Sequence, residues 1–241
     1  RMVQVSFDDR EWQKHFDKML EFRGFTDWLK RVDDKTFNIK GITVQCLDMS
    51  GPRVSLLKLK VDGEDSFGNP LPNNVVLKGP SVGVFVVITC DEDKKQYVVL
   101  SVENRVAIGR NSVPELPTGH LEDSGDFAGR TAQLIDEVLG LRLSHKDLTD
   151  LTDMSFGRNF DGVHGVGGEA DEALRIHLFR ARMSRKALDL AERKCTGVLE
   201  QGETLKLMLT PIYDLWRCPD SKALAAMCIF ENLVARRELA V

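Results

Sequence analysis

Short apolar runs, each bounded by charged residues or by glycine and proline, recur along most of this chain. They are rich in β-branched residues, which is typical of strands. The predicted strands cover residues 37–40, 42–47, 54–61, 75–77, 82–90, 96–102, 173–179 and 205–209. Gly51-Pro52 predicts a hairpin turn between the strands at 42–47 and 54–61. The run at 82–90 is apolar at almost every position, so we expect it to form a buried strand.

Three longer segments carry apolar residues at helical spacing. The predicted helices run from Asp8 to about Arg31, from about Asp126 to Leu139 and from Ser221 to about Arg237. Gly140 is a typical stop signal for the second helix, and Ser221 is a typical N-cap for the third. The inward face of the third helix is predicted to carry Leu224, Met227, Cys228 and Leu233.

The stretch from Gly63 to Asn74 contains Pro70 and Pro72 and reads as a loop that divides the pattern into two parts. Residues 1–74 predict an N-terminal lobe made of a helix and a β-hairpin. Residues 75–241 alternate strands with helices, which predicts an α/β domain. The sequence therefore indicates a small lobe followed by a larger main domain.

Composition narrows the classes of function. The chain has 241 residues, 42% of them hydrophobic, and a formal net charge of −4, which gives no reason to expect nucleic acid or an anionic membrane as partner. No apolar run approaches the ~20 residues of a membrane span. The five cysteines are scattered without CxxC spacing, which favours a reducing intracellular compartment, either the cytoplasm or an organelle. Because the chain begins with arginine, a removed targeting peptide would not be visible.

A glycine turn at Gly119 leads into the second predicted helix, where Ile135, Glu137, Gly140 and Leu141 follow. This spacing resembles the Nudix box, GX5EX7REUXEEXGU with U a bulky aliphatic residue, of diphosphate-cleaving hydrolases. Similar segments occur in the same order at 43–49, 79–84, 104–106, 115–119, 125–129, 167–172 and 209–217. Together they resemble the ADP-sugar diphosphatase branch of that family, in particular the ADP-glucose pyrophosphatase type of plant plastids. The resemblance implies a Nudix α/β/α sandwich with a mixed sheet, and an N-terminal β-rich lobe that builds a homodimer.

The box also implies a magnesium site, since hard divalent cations take carboxylate oxygens and activate water. The box expects Glu where Gly125 stands, Arg-Glu where Gln133-Leu134 stand, and Glu-Glu where Glu137-Val138 stand. Leu134 and Val138 lie four apart, hence on one helix face, and cannot ligate a cation. With Leu141 they form an apolar stripe that predicts a core-facing helix. The sequence leaves open whether this stripe faces the core or a pocket.

The resemblance assigns roles to residues that match the family. Arg105 is placed on the substrate phosphates, and Glu115 helps to build the substrate site. Gly119 offers a backbone carbonyl to the metal. The alternative is an ordinary ion pair for Arg105 and for Glu115.

Three further acids are candidates for catalysis. Glu137 is the acid of the box that remains, and it is the predicted metal ligand and catalytic group. Glu200 and Glu203 match a later loop that supplies the catalytic base or an additional ligand in the family. The alternative is that these acids are simply solvated.

Two hypotheses follow. The first is a Nudix-fold pseudoenzyme that binds a nucleoside diphosphate-linked small molecule or serves as a subunit of a protein complex. The second is an active magnesium-dependent hydrolase that releases AMP from a metal site relocated to Glu137, Glu115 and the loop of Glu200 and Glu203. A homodimer is expected in either case.

Overall fold

The computed structural model describes residues 3–32, 36–122, 124–165 and 168–240 and shows the predicted mixed α/β fold. The strands are β1 Gln4–Phe7, β2 Phe37–Ser50, β3 Arg53–Asp65, β4 Asn74–Leu77, β5 Ser81–Cys90, β6 Gln96–Arg105, β7 Arg110–Glu115, β8 Thr118–Leu121, β9 Phe127–Ala128, β10 Leu148–Asp150, β11 Val163–His164, β12 Ala173–Met183 and β13 Leu205–Pro211. The helices are α1 Arg10–Gln13, α2 Phe16–Glu21, α3 Arg23–Arg31, α4 Arg130–Leu139, α5 Leu151–Phe156, α6 Arg185–Lys194 and α7 Ser221–Ala235. Three 3-10 helices lie at Val106–Ile108, His145–Asp147 and Ile212–Arg217.

The N-terminal unit comprises Arg1–Pro80 and His164–Ala173. Its sheet has the order β1-β2-β3-β4, and its long β2–β3 hairpin turns at Gly51, as predicted. Met19 and Phe25 from the helices are buried against Leu57 and Leu59 of the hairpin. The predicted boundary between residues 74 and 75 falls at the start of β4.

The prediction of one continuous helix from Asp8 to Arg31 was wrong, because three short helices occupy that segment. The break between α2 and α3 lies at Phe22, whose backbone is extended with φ −75° and ψ 113°. Phe22 packs against the core of the unit, so tertiary contacts overrode the helical pattern. The two strands predicted at 37–40 and 42–47 are one strand, β2, which passes Lys40 as an irregularity in its pairing with β3.

The larger unit comprises Ser81–Val163 and Leu174–Val241. Its sheet follows the path β10-β12-β5-β6-β13, with β7 on β6 and β8 on β5. The parallel pair β12–β5 and the antiparallel pairs β5–β6 and β6–β13 make the sheet mixed. β5 is buried on both faces, as predicted: Phe85 and Val87 pack with α7, and Val84 and Val86 pack with α4 and α6. Helices on both faces of one mixed sheet confirm the predicted α/β/α sandwich.

The predicted helix at 126–139 begins later, at Arg130, because Phe127–Ala128 pair with β8 as the short strand β9. Its predicted end is confirmed. Gly140 adopts a left-handed conformation, with φ 66°, and its N–H donates to the Asp136 carbonyl.

The prediction for α7 was wrong in two details. The N-cap is Asp220 and not Ser221, because the Asp220 carboxylate accepts hydrogen bonds from the N–H groups of Lys222 and Ala223. Leu224 and Cys228 are exposed. The buried positions of the helix are Ala223, Ala226, Phe230 and Leu233. Within the described part of the chain, no helix is long and apolar enough to cross a membrane.

Candidate functional site

The apolar stripe of α4 faces the protein core. Leu134 and Val138 are partly buried and pack against the cluster that contains Val84, Val86 and Ile135. Both side chains therefore contribute to the layer between α4 and the sheet. This packing answers the question that the sequence left open.

Two glycines in the segment that resembles the box, Gly119 and Gly125, are constrained by their neighbours. A Cβ on Gly119 would lie 2.4 Å from the Ala128 carbonyl oxygen and 2.9 Å from the Phe127 ring, so the β8–β9 hairpin leaves no room for a side chain. Gly125 has φ 83°, and a Cβ there would lie 2.7 Å from Nδ1 of His145. A glutamate at position 125 would therefore be strained in this backbone.

Glu115 lies in a network of charges at the end of β7. The Arg105 guanidinium donates to both Glu115 carboxylate oxygens through Nε and Nη2, and Lys222 Nζ lies 3.2 Å from Glu115 Oε2. Lys222 Nζ also lies 2.9 Å from Asp220 Oδ1, and Asp220 accepts from the Leu116 N–H at 2.8 Å. The network joins β6, β7 and the start of α7 with two positive and two negative charges.

This pairing decides the charge state of Glu115. Burial alone would raise the pKa of the Glu115 carboxyl, but the hydrogen bonds from Arg105 and the charge of Lys222 outweigh it, so the pKa lies below its ordinary value. Burial would lower the pKa of Lys222, but its pairing with Asp220 and Glu115 raises it. Both groups are therefore charged at neutral pH, and each neutralises the other.

The loop before β13 shows a similar arrangement. Lys206 Nζ lies 3.1 Å and 3.2 Å from the two carboxylate oxygens of Glu203 and 3.7 Å from Oε1 of Glu200. Glu203 also accepts from the Glu200 N–H at 2.9 Å, and this hydrogen bond is the main reason that the pKa of Glu203 is lowered. The Arg130 guanidinium, at the start of α4, donates to the Thr204 hydroxyl. The loop thus lies beside α4, with its acids paired to a lysine.

The structure does not bring the predicted site residues together as one set of ligands. Glu137 is exposed and has no ion pair or side-chain hydrogen bond within the described residues. Among residues 3–32, 36–122, 124–165 and 168–240, no group of three or more His, Cys, Asp or Glu side chains is arranged to hold a metal ion. The specific ligands predicted, Glu137 and Gly119, remain a prediction.

A groove of about 350 Å³ runs along α4. It lies on a side of the helix that does not carry Leu134 and Val138. Its polar lining comprises His120, Glu122, Asp126, Gln133, Asp136 and Arg142. Asp126 is already engaged, since it accepts from the His145 N–H at 2.7 Å and from the Ser144 hydroxyl at 3.2 Å. The His145 hydrogen bond is the main cause of the lowered pKa of Asp126. The groove offers hydrogen-bonding groups of both charges to a polar ligand.

Two lysines were missed by sequence reasoning. Lys222 meets Glu115 across 107 positions of the chain, and no local pattern signals that contact. Lys206 lies three residues after Glu203, a spacing that could have suggested the ion pair.

The layered mixed sheet, with a glycine-stopped helix after the β8–β9 hairpin, defines a Nudix-fold protein. Nudix hydrolase 14, chloroplastic, of Arabidopsis thaliana is 33% identical over 227 residues, which cover 89% of this chain and 71% of that relative. The chain therefore belongs to the Nudix hydrolase family, as predicted. The crystal structure of an ADP compounds hydrolase matches with a TM-score of 0.52 and 13% identity, over 85% of this chain and 97% of that one, and supports the fold alone. No family model matches the chain.

Proposed function

We propose that this chain binds a nucleoside diphosphate-linked small molecule of the ADP-sugar class and hydrolyses it weakly or not at all. It would act as a ligand-binding protein or as a subunit of a complex. The ligand class is supported by membership of the Nudix hydrolase family, together with the resemblance of the sequence to the ADP-sugar diphosphatase branch of that family.

The observation that carries this proposal is the packing of Leu134 and Val138 in the apolar layer under α4. Diphosphate cleavage needs the phosphate charge neutralised and a water made nucleophilic. In a Nudix box, carboxylates at these two positions would hold the cation that does both. Misplacing one catalytic group commonly costs two or three orders of magnitude in rate, and two ligand positions are apolar here.

The remaining acids support the same proposal, because each is either paired or isolated. Glu115 is neutralised by Arg105 and Lys222, and Glu203 is neutralised by Lys206. A cation that recruited either carboxylate would have to displace a bound lysine or arginine. Glu137 remains accessible, but a single exposed carboxylate holds a divalent cation weakly.

Arg105 is the residue proposed to contact the ligand phosphates. Glu115 occupies its Nε and Nη2 groups, and Nη1 has no hydrogen-bond partner among the described residues. The side chain is 43% exposed, so this free group can reach a ligand from solvent. Glu115 would thereby hold the guanidinium in place for a phosphate oxygen.

The test measures binding and AMP release together, with ADP-ribose and ADP-glucose in the presence of Mg²⁺ or Mn²⁺. We expect saturable binding and no AMP release above the protein-free rate. Arg105→Lys keeps a positive charge beside Glu115 but loses the planar guanidinium, which can donate to two oxygen atoms at once. The affinity for the ligand should therefore weaken about tenfold. Arg110→Lys, at an exposed arginine of β7, is the matched control and should leave binding unchanged. Absence of any binding by the unmodified chain would refute the proposal.

The second candidate is an active hydrolase that releases AMP from a relocated metal site. The accessible, unpaired carboxylate of Glu137 favours it. It predicts metal-dependent AMP release that Glu137→Gln abolishes while Asp136→Asn, at the neighbouring exposed acid, retains it. Release that survives Glu137→Gln would eliminate this relocated site.

An organelle is the proposed location. The name of the Arabidopsis relative contains the word chloroplastic, and this supports a plastid over the cytoplasm. Microscopy of the full-length gene product fused to a fluorescent protein tests it. Diffuse cytoplasmic fluorescence would contradict it.

A further inference from the structure

A second concave surface lies in the N-terminal unit, formed where α2 meets α3 and where β2 turns into β3. Its volume is about 360 Å³, within the usual range of about 300–1,000 Å³ for small-molecule pockets. The lining residues are Lys18, Glu21, Phe22, Arg23, Pro52, Arg53 and Val54. All of them belong to one compact unit, so the cavity is a feature of that unit alone.

The lining carries three positive charges and one negative charge, although the whole chain has a net charge of −4. Among the described residues, neither Lys18 nor Arg53 has a carboxylate within 4.0 Å. Arg23 has only a long contact, 3.7 Å from Asp27, and its side chain is 82% exposed. Three cations on one concave surface repel one another, and an anion between them would relieve that repulsion.

The apolar part of the cavity has a fixed geometry. Phe22 has an extended backbone between two helices, and its ring is so close to Gly24 that a Cβ there would lie 2.6 Å from it. On the opposite side, Gly51 adopts φ 59° and sets the turn that places Pro52 and Arg53. The apolar walls therefore come from a packed aromatic ring and a tight hairpin, which need not be reordered on binding, whereas the exposed side chains of Lys18, Arg23 and Arg53 become ordered around the anion.

We propose that this cavity binds a phosphorylated small molecule, with the phosphate held by Lys18, Arg23 and Arg53. Ammonium and guanidinium groups form charge-assisted hydrogen bonds to phosphate oxygens, and arginine can do so through two parallel bonds. Phe22, Pro52 and Val54 provide the surface for an apolar or ring-containing part of the same ligand. Arg105 and α4, which are assigned to the nucleotide, belong to the other unit and contribute nothing to the lining of this cavity.

The test is calorimetric titration of the full chain with phenyl phosphate and with inorganic phosphate at low ionic strength. We expect saturable 1:1 binding of phenyl phosphate, weaker binding of inorganic phosphate, and loss of affinity as salt is raised. Arg53→Gln should weaken phenyl phosphate binding about tenfold, the usual effect of losing one hydrogen bond to a charged group. Lys18→Gln is the second variant, and it decides the question if Arg53→Gln fails to fold.

The matched control is Lys60→Gln, which removes one exposed positive charge from β3 in the same unit but outside the cavity. Its affinity for phenyl phosphate should stay within about twofold of the unmodified chain. Thermal unfolding of each variant checks that the fold is retained. No saturable binding by the unmodified chain would overturn the proposal. The proposal would also be overturned if Lys60→Gln lost as much affinity for phenyl phosphate as Arg53→Gln, or if only Arg105→Lys lost affinity.

Discussion

Glu115 shows, at the scale of one residue, how burial and pairing compete. Its side chain is 8% exposed, and burial of an isolated carboxylate is unfavourable enough to neutralise it by protonation. Arg105 and Lys222 reverse that tendency and keep the pKa of Glu115 below its ordinary value. The same contacts that satisfy the carboxylate also withdraw it from metal binding, so structure and chemistry are coupled at this position.

The Glu115 network predicts a large effect for Lys222→Met. Methionine keeps much of the side-chain volume but leaves Glu115 and Asp220 without their shared cation. Breaking a buried ion pair by removing one partner costs about 3–5 kcal/mol, and the 24% exposure of Lys222 reduces this to about 2–3 kcal/mol. Urea unfolding measures the loss. Lys60→Met, at an exposed site, should change stability by less than about 0.5 kcal/mol, and an equal loss in both variants would contradict the assignment.

His177 is a second buried group with an incomplete environment. Its Nδ1 has no hydrogen-bond partner within the described residues, and Nε2 lies 3.7 Å from Asp150 Oδ2. Burial lowers the pKa of His177. The charge of Asp150 raises it, and Arg175 and His145 lower it further. The folded state therefore resists protonation of this ring more than the unfolded chain does.

This difference predicts a pH dependence of stability. The unfolded histidine takes up its proton near pH 6.5, and the folded one only at lower pH. The stabilisation is therefore present above about pH 6.5 and is lost as the pH falls towards the folded pKa. His177→Gln should remove this part of the decline in unfolding free energy, measured in urea at pH 7 and at pH 5. His120→Gln, at an exposed histidine, should retain it, and a decline identical in all three proteins would refute the role of His177.

At the scale of elements, α4 shows which local signals survive folding. Glycine at its C-terminal end stops the helix because Gly140 adopts a left-handed backbone that other residues adopt only with strain. At its N-terminal end, Phe127 and Ala128 form the second strand of the β8–β9 hairpin and pair with β8 instead of extending the helix. Short-range signals therefore predicted the end of α4, whereas a contact with another strand decided its beginning.

Gly140→Ala tests the C-terminal signal. The left-handed conformation costs an alanine about 1–2 kcal/mol, and we expect destabilisation of that size. Gly41→Ala is the control, because φ at Gly41 is not positive and a Cβ there would meet only the Gln4 carbonyl oxygen, at 3.8 Å. Thermal or urea unfolding distinguishes the two. A neutral Gly140→Ala would show that the stop is made by packing and not by the backbone of that residue.

At the scale of the whole molecule, the chain folds as two compact units, and each has its own buried apolar cluster. The smaller unit contains two segments, because His164–Ala173 joins the N-terminal residues. Ala170 lies against Val76 as an isolated bridge, and the Asp171 carboxylate accepts from the Lys78 N–H at 2.7 Å. The boundary predicted between residues 74 and 75 stays a prediction, and the smaller unit extends to Pro80 and takes in a second segment from later in the chain.

The homodimer implied by the family resemblance remains a prediction at this scale. Light scattering after size exclusion should give twice the 27.1 kDa mass of one chain. The mass should stay constant on dilution across the micromolar range if the interface is extensive. A mass of one chain at all concentrations would contradict the prediction.

The mixed α/β layers, most strands and the glycine stop of α4 were predictable from the chain alone, because they depend on the period of apolar residues, on composition and on short-range geometry, all of which are local. The family was predictable for a different reason, since its motifs occur in the same order along the chain. Leu134 and Val138 also stand out in the sequence as an apolar stripe, but their contact with the core is visible only once α4 is packed against the sheet. Likewise, the contact between Glu115 and Lys222 is visible only in the structure. Glu203 and Lys206, in contrast, are three residues apart in the sequence, so their ion pair could have been predicted from local spacing. The physical reason is that burial and pairing depend on neighbours brought from distant parts of the chain, and those neighbours leave no trace in local periodicity.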